Sequence, residues 1–132
     1  MPSILHLSLP VRDLGESRRF YADVLGCTSG RETAEFVDVW FHGLQLTLHE
    51  RPDEVLDDTQ QGVRHFGVTL DATALAALLD RISRSPVRWV EPLHTDFAGT
   101  AREQTKAKIA DPSGNVIELK SYADPAAALG GP

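Results

Sequence analysis

The sequence predicts an α+β fold built from two consecutive βαβββ modules. Two short segments carry this prediction, because residues 4–9 and residues 63–70 both alternate apolar and polar side chains with the period of a β-strand. Each segment contains one histidine, His6 or His65, and leads into a helical segment that begins after an acidic residue. Three further strand-like segments follow each helix. The second half of the chain therefore repeats the first half.

The composition is typical of one globular domain. The chain has 132 residues, of which 42% are hydrophobic and 24% charged. A chain of this length can bury a sufficient hydrophobic core without disulfides. The longest apolar run, residues 74–79, is much shorter than the ~20 residues of a membrane span, and no secretory signal is recognisable. We therefore expect a cytoplasmic protein without membrane contacts. The net charge of −6 argues against nucleic acid as a partner, and the single cysteine, Cys27, excludes internal disulfides and thiolate zinc sites.

The first module is predicted over residues 1–50. After its first strand, Asp13 is expected to cap a helix, with Glu16 completing a capping box. The helix ends at Gly26 and has an apolar stripe made of Leu14, Tyr21, Val24 and Leu25. Gly43 then separates the last two strands and predicts a tight hairpin. The three strands after the helix are predicted at residues 28–31, 35–42 and 44–50.

The second module is predicted over residues 63–122. Either Asp71 or Thr73 caps its helix, which Pro86 ends, and the apolar stripe consists of Leu75, Leu78, Leu79 and Ile82. An Asp-Pro-Ser-Gly turn at residues 111–114 joins the last two strands. The strands after the helix are predicted at residues 87–91, 104–110 and 115–122. The polar linker, residues 51–62, and the Ala-, Gly- and Pro-rich tail, residues 123–132, are expected to be flexible.

Strand alternation places four chemically active side chains on the face that the helices leave uncovered. These side chains are His6, His49, His65 and Glu118. A curved sheet would gather them in one cavity, where two imidazoles and one carboxylate match the ligand set that holds a divalent metal with open coordination positions. The alternative is that they are solvated surface residues. His42 and His94 have no repeat partner and are interpreted as surface residues.

The same alternation predicts further substrate contacts. The strands of the first module direct another group of side chains toward the cavity: Phe36, Asp38, Trp40 and Gln45. They would supply aromatic walls and polar anchors. For Trp40, plain core packing is an equally good interpretation.

Four segments together resemble a known superfamily. They read HLSLPVRDL from His6, SRRFYADVLG from Ser17, HFGV from His65 and DPSGNVIEL from Asp111. This set is similar to the vicinal oxygen chelate superfamily, which includes glyoxalase I, bleomycin and fosfomycin resistance proteins, and type I extradiol dioxygenases. The resemblance covers residues 4–122. It implies the glyoxalase/dioxygenase fold, a single domain over residues 1–122 whose two modules form a cupped mixed β-sheet around a metal.

The resemblance also implies a ligand set and partners. Metal-binding members carry ligands at the positions that correspond to His6, His65 and Glu118 here, act on small molecules and usually form homodimers. The acid–base histidine of type I extradiol dioxygenases resembles His49, whereas glyoxalase I has a glutamate ligand near this point. The implied function is an extradiol-dioxygenase-like oxidoreductase with iron(II). Nickel, zinc and manganese are alternative metals.

Two alternative functions stay open. Extradiol dioxygenases carry a tyrosine and a second histidine ahead of the last ligand, where this chain has Lys106 and Lys108. This departure leaves room for a glyoxalase I-type lyase or isomerase. The second alternative is a non-catalytic antibiotic-binding protein similar to the bleomycin resistance proteins, because the net charge of −6 suits a cationic antibiotic.

Overall fold

The computed structural model describes residues 2–130. They form two compact units, of which the first comprises residues 2–62 with Asp111–Asn115 and the second comprises residues 63–110 and 116–130. Each unit contains a four-stranded mixed sheet and one α-helix in the order βαβββ, which confirms the predicted fold class. Within residues 2–130, no helix is long and apolar enough to cross a membrane.

The sheet of the first unit has the strand order β1-β4-β3-β2, and β1 runs parallel to β4. Its elements are β1 (His6–Val11), α1 (Leu14–Arg19), β2 (Thr28–Glu32), β3 (Phe36–Phe41) and β4 (Leu44–Glu50). His42 and Gly43 form the predicted hairpin turn between β3 and β4, and both have positive φ angles, of 49° and 85°. Two consecutive positive φ angles match the type of two-residue turn that follows the twist of paired strands.

The helix of the first unit begins as predicted and ends differently. The Glu16 amide donates to Oδ1 of Asp13 over 2.7 Å, which confirms the N-cap. The reciprocal half of the capping box is replaced, because the Glu16 carboxylate pairs with the Arg12 guanidinium at 2.6 Å. The helix then widens into a π-helical turn over Phe20–Val24 before Gly26 adopts a φ of 74°.

Burial in the first unit follows most of the predicted apolar pattern. The core side chains include Val11, Tyr21, Val24, Val37, Val39, Phe41, Leu46 and Leu48. Leu5 is an exception, because β1 begins only at His6 and the Leu5 side chain is 75% exposed. Tyr21 is fully buried and donates its hydroxyl to Oδ2 of Asp111 over 2.8 Å. This buried hydrogen bond fixes the Asp-Pro-Ser-Gly turn against the π-helical segment that follows α1.

The sheet of the second unit has the order β5-β8-β7-β6, with β5 parallel to β8. Its elements are β5 (Phe66–Thr69), α2 (Ala72–Ile82), β6 (Arg88–Asp96), β7 (Gln104–Ala110) and β8 (Val116–Tyr122). Asp71 is the N-cap of α2, since its Oδ1 accepts from the Ala74 amide over 2.7 Å. The strand β6 extends five residues beyond its predicted end, and register shifts accommodate Pro92 within it.

The predicted linker and tail both contain local structure. Two short 3-10 helices, Pro52–Glu54 and Asp58–Gln60, occupy the linker, and the buried Gln61 amide donates to the carbonyl of Gly114 over 3.2 Å. Pro125–Leu129 forms a further 3-10 helix in the tail. The sequence misses these turns because Asx and proline caps are too short to produce a periodic pattern.

Candidate metal and substrate site

A glycine on β5 allows two predicted ligands of the second unit to lie side by side. Gly67 is the register partner of Glu118, and a Cβ atom at position 67 would lie 2.0 Å from the Glu118 carbonyl oxygen. Only glycine therefore permits the observed approach of β5 to β8. His65 directly precedes β5, and its Nε2 lies 3.6 Å from Oε2 of Glu118.

The His65 imidazole is oriented by the backbone. Its Nδ1 lies 2.8 Å from the carbonyl oxygen of Val63, and because a carbonyl only accepts, Nδ1 carries the proton. In the neutral imidazole the lone pair is then on Nε2, on the side of Glu118. This is the arrangement that metal-ligating histidines usually show, with one ring nitrogen bonded to a carbonyl and the other on the metal.

The pair fits a divalent cation. Two donors that each bind one ion at about 2.0–2.2 Å are separated by about 3–3.5 Å, close to the spacing between His65 and Glu118. Both line a cavity of about 200 Å³, whose walls also include Gly67, Thr69 and Lys120. The Glu118 side chain is only 11% exposed. The second unit thus presents one imidazole nitrogen and one shielded carboxylate to the same small cavity.

Lysines surround this carboxylate. The Nζ atom of Lys120 lies 3.3 Å from Oε1 of Glu118, and the Nζ atom of Lys108 lies 3.9 Å from Oε2. Alternation along β7 also places Lys106 on this face, and its ammonium group pairs with Asp96 at 3.1 Å. The sequence identified Lys106 and Lys108 only as departures from the dioxygenase pattern.

His6, the third predicted ligand, lies on β1 in the first unit. It is exposed, and its Nε2 is 3.2 Å from the Ser8 hydroxyl oxygen. The register partner of His6 on β4 is Gln45, and the partner of Ser8 is Thr47. Across residues 2–130, no group of three His, Cys, Asp or Glu side chains is close enough to hold a metal ion. The assignment of His6 to the ligand set therefore remains a prediction.

Asp38 does not present a free carboxylate to substrate. It is 1% exposed and accepts from Arg31 Nε over 2.7 Å and from the Thr47 hydroxyl over 2.6 Å. Burial favours a raised pKa for Asp38, but these hydrogen bonds and the positive charge of Arg31 outweigh it, so that the pKa lies below its ordinary value. Asp38 positions Arg31 and Thr47.

Arg31 itself was not predicted from the sequence. Its guanidinium carbon lies 5.4 Å from the centroid of the Phe36 ring, a cation–π contact. β2 offers no alternation that would indicate this position, because its pairing with β3 shifts register between Ser29 and Glu32. The exposed Arg31 thus places a positive charge beside Phe36, at the aromatic end of the sheet face that carries Phe36, Asp38 and His49.

His49 lies at the same end of the face. Its register partner on β3 is Phe36, and the two ring centroids are 5.8 Å apart. On β1 its partner is Pro10, four residues beyond His6, a separation of about 13 Å along a strand. Gln45, whose partner on β3 is the half-buried Trp40, is the β4 residue opposite His6.

The two histidines interpreted as surface residues differ. His42 is exposed in the β3–β4 turn, and partial burial lowers its pKa. His94 is half-buried on β6, and its Nε2 lies 3.6 Å from Oδ2 of Asp96. His94 therefore belongs to the polar network of the second sheet, which the repeat comparison alone did not indicate.

Comparison with known proteins identifies the family. The sequence-family model of the Glyoxalase/Bleomycin resistance protein/Dioxygenase superfamily matches residues 3–119 of this chain. The chain belongs to this superfamily. It is also called the vicinal oxygen chelate superfamily, and its members generally bind divalent metals and small-molecule substrates and are often dimers. It includes many enzymes and also non-catalytic proteins.

Solved structures of this superfamily match nearly the whole chain. A glyoxalase/bleomycin resistance protein/dioxygenase from Alicyclobacillus acidocaldarius is 29% identical, with a TM-score of 0.86 and 95% of each chain covered. The fosfomycin resistance protein FosX from Listeria monocytogenes is 16% identical, with a TM-score of 0.74 and coverage of 92% of this chain and 93% of that one. A glyoxalase/dioxygenase from Nostoc punctiforme is 17% identical, with a TM-score of 0.70 and 92% of each chain covered. The last two likenesses concern the fold alone.

Proposed function

We propose that this protein is a divalent-metal-dependent enzyme whose small substrate chelates the metal through two vicinal oxygens. One observation carries the proposal: Nε2 of His65, whose Nδ1 is bonded to the Val63 carbonyl, lies 3.6 Å from the shielded carboxylate of Glu118, within one cavity. His6 is the third ligand in this proposal. Two imidazoles and one carboxylate would leave coordination positions open for the substrate.

The metal, when bound, would act as a Lewis acid and as a template for the substrate oxygens. The chain's own residues set the conditions for this. The Val63 carbonyl holds the proton of His65 on Nδ1, and the low exposure of Glu118 limits competition from water. We propose iron(II), because a facial set of two histidines and one carboxylate is typical of non-haem iron oxygenases.

His49 is the proposed acid–base residue of an extradiol-dioxygenase-like reaction. An imidazole exchanges protons near neutral pH, and His49 lies beside the Phe36 ring at the aromatic end of its face. Phe36 and Trp40 would border the substrate, and Gln45 would donate to one of its oxygens. Asp38 would act indirectly, through Arg31 and Thr47.

A glyoxalase I-type lyase or isomerase is the second candidate. Lys106 and Lys108 on β7 favour it, because these cations occupy the region ahead of Glu118 where extradiol dioxygenases carry a tyrosine and a histidine. Nickel, zinc or manganese would then replace iron. We further propose a homodimer, as is frequent in the superfamily, and a cytoplasmic location, which suits a chain whose single cysteine, Cys27, excludes an internal disulfide.

Elemental analysis of protein purified without added metal, followed by oxygen-uptake assays on a panel of catechols, tests these proposals. Iron together with oxygen uptake supports the dioxygenase. Nickel, zinc or manganese without uptake supports the lyase. A protein that takes up no divalent metal even when titrated would contradict metal-dependent catalysis and favour the non-catalytic binding protein.

A further inference from the structure

Three lysines share one face of the second sheet with the proposed ligand Glu118. Lys106 and Lys108 lie two residues apart on β7, and Lys120 lies two residues after Glu118 on β8, so alternation directs all four side chains to the same side. The register pairs Lys108 with Glu118 and Lys106 with Lys120. We call Lys106, Lys108 and Lys120 the lysine cluster.

The ion pairs of this face divide the cluster into two parts. Lys106 is held by Asp96 at 3.1 Å, and this hydrogen bond raises its pKa. Lys120 contacts Glu118 at 3.3 Å, whereas Lys108 lies 3.9 Å from both Glu118 and Glu91. Lys120 therefore has Glu118 as its counter-charge, whereas Lys108 shares its charge between Glu118 and Glu91.

These ammonium groups are not freely solvated. The side chains of Lys108 and Lys120 are 26% and 29% exposed, and the Lys120 Nζ lies 5.5 Å from the centroid of the Tyr122 ring. Lys120 also lines the cavity that contains His65 and Glu118. Charges in such a partly shielded environment interact more strongly than charges at the open surface.

Metal binding would change the charge balance of this cavity. The described ion pairs join three ammonium groups to three carboxylates, so the network is balanced without a cation. A divalent ion on Glu118 would take the carboxylate from Lys120, leave Lys108 with Glu91 alone, and add two positive charges beside both ammonium groups. An anionic ligand would restore the balance, whereas a neutral or cationic ligand would leave it unfavourable.

We propose that the substrate binds as an oxyanion, and that Lys108 and Lys120 hold its negatively charged oxygens beside the metal. This inference rests on the proposed metal-dependent function and names the substrate class, a small molecule with a carboxylate, a phosphoryl group or another ionised oxygen next to its chelating oxygens. It also disfavours a cationic antibiotic as the ligand, despite the net charge of −6.

The lysines have opposite effects on metal and anion. Each ammonium group competes with the metal for Glu118 and repels it, yet attracts an oxyanion. Replacing Lys120 with methionine is therefore expected to leave Mn²⁺ binding unchanged or to tighten it by about twofold to tenfold. The same change should weaken anion binding by about tenfold or more, as expected when a hydrogen bond to a charged group is lost. Global unfolding of the variant would instead weaken both Mn²⁺ binding and anion binding.

The experiment is a pair of calorimetric titrations. Mn²⁺ is titrated into the wild-type protein and into Lys108→Met and Lys120→Met, and oxalate or inorganic phosphate is then titrated into each metal-loaded protein. Arg84→Met is the control, because Arg84 is an exposed cation paired with Asp80 at 2.7 Å, outside the cluster. Lys120→Arg retains the charge and should bind both anions within about threefold of the wild type.

Each outcome bears on one claim. Weaker anion binding with retained Mn²⁺ binding in both lysine variants, but not in Arg84→Met, supports the inference. Whichever of oxalate and phosphate binds more tightly to the metal-loaded wild-type protein then indicates whether a carboxylate or a phosphoryl group is preferred. Anion affinities within twofold of the wild type in both lysine variants would overturn the inference and leave the metal proposal intact. A wild-type protein without a stoichiometric Mn²⁺ site would overturn the proposed function itself.

Discussion

Gly67 and Glu118 face each other across β5 and β8 so closely that a Cβ atom on Gly67 would lie 2.0 Å from the Glu118 carbonyl oxygen. The same atom would lie 2.8 Å from the Glu118 carbonyl carbon. These are backbone atoms, which cannot move aside as a flexible side chain does. The spacing of His65 and Glu118 therefore depends on the absence of a side chain at position 67.

Gly67→Ala is expected to lower both stability and metal affinity. The methyl group would push the two strands apart, at a cost of about 1–3 kcal/mol in the free energy of unfolding. It would also separate His65 from Glu118. Gly99→Ala is the matched control, because a Cβ there meets open space and its positive φ of 78° costs about 1–2 kcal/mol of stability. Chemical denaturation and Mn²⁺ titration of both variants should show similar destabilisation but weaker metal binding only in Gly67→Ala.

His49→Ala tests the proposed proton transfer. If His49 is the acid–base residue, turnover should fall by about 10²–10⁴ while metal content is unchanged. The register already separates His49 from His6 by about 13 Å along the strands, which disfavours a fourth metal ligand. A parallel loss of metal and activity would show that His49 is a ligand after all. Unchanged turnover would remove it from the mechanism and with it the main argument for dioxygenase-like chemistry.

Asp38→Asn tests the buried carboxylate of the first unit. The pKa of Asp38 lies below its ordinary value of 3.8, since hydrogen bonds from Arg31 and Thr47 outweigh burial. Its contribution to stability is therefore present above about pH 4 and is lost as the pH falls through the lowered pKa. The variant should be less stable near pH 6, and the difference from the wild type should shrink as the pH falls toward 2. Urea denaturation at several pH values measures this difference, and a difference independent of pH would contradict it.

Analytical ultracentrifugation tests the proposed homodimer. A monomer has a mass of 14.4 kDa, so a dimer at micromolar concentration should sediment with about twice this mass. A mass near that of the monomer across the micromolar range would contradict the proposal. The metal assignment would not be affected.

The sequence predicted the fold because its signals are local and repeated. Asp13 and Asp71 cap their helices as expected, and the β7–β8 turn forms at the Asp-Pro-Ser-Gly segment. The π-helical turn at Phe20–Val24 was missed because an apolar stripe looks the same whether the last turn is α-helical or widened. Likewise, nothing in the short strand β2 indicates that Arg31 lies over Phe36.

The site was predicted less completely than the fold. Alternation identifies which side chains share a face, and the register confirms one shared face for Phe36, Asp38, Trp40, Gln45 and His49, whereas their contact with substrate stays a prediction. It does not give the register between strands, so it could not show that Gln45 rather than His49 lies opposite His6. Nor does it show hydrogen bonding, and the carboxylate of Asp38, predicted as a substrate contact, is in fact occupied by Arg31 and Thr47. Both the register between strands and the hydrogen bonding of Asp38 depend on how the strands pair in the folded protein.

Mn²⁺ titration of single-ligand variants tests the central claim most directly. We expect one Mn²⁺ per chain in the wild-type protein. In His6→Ala, His65→Ala and Glu118→Gln the loss of Mn²⁺ affinity should exceed the ~10–100-fold typical of residues that only orient a ligand. His42→Ala, in the exposed β3–β4 turn, should bind like the wild type. Equal Mn²⁺ affinity in His65→Ala and His42→Ala would contradict the metal site.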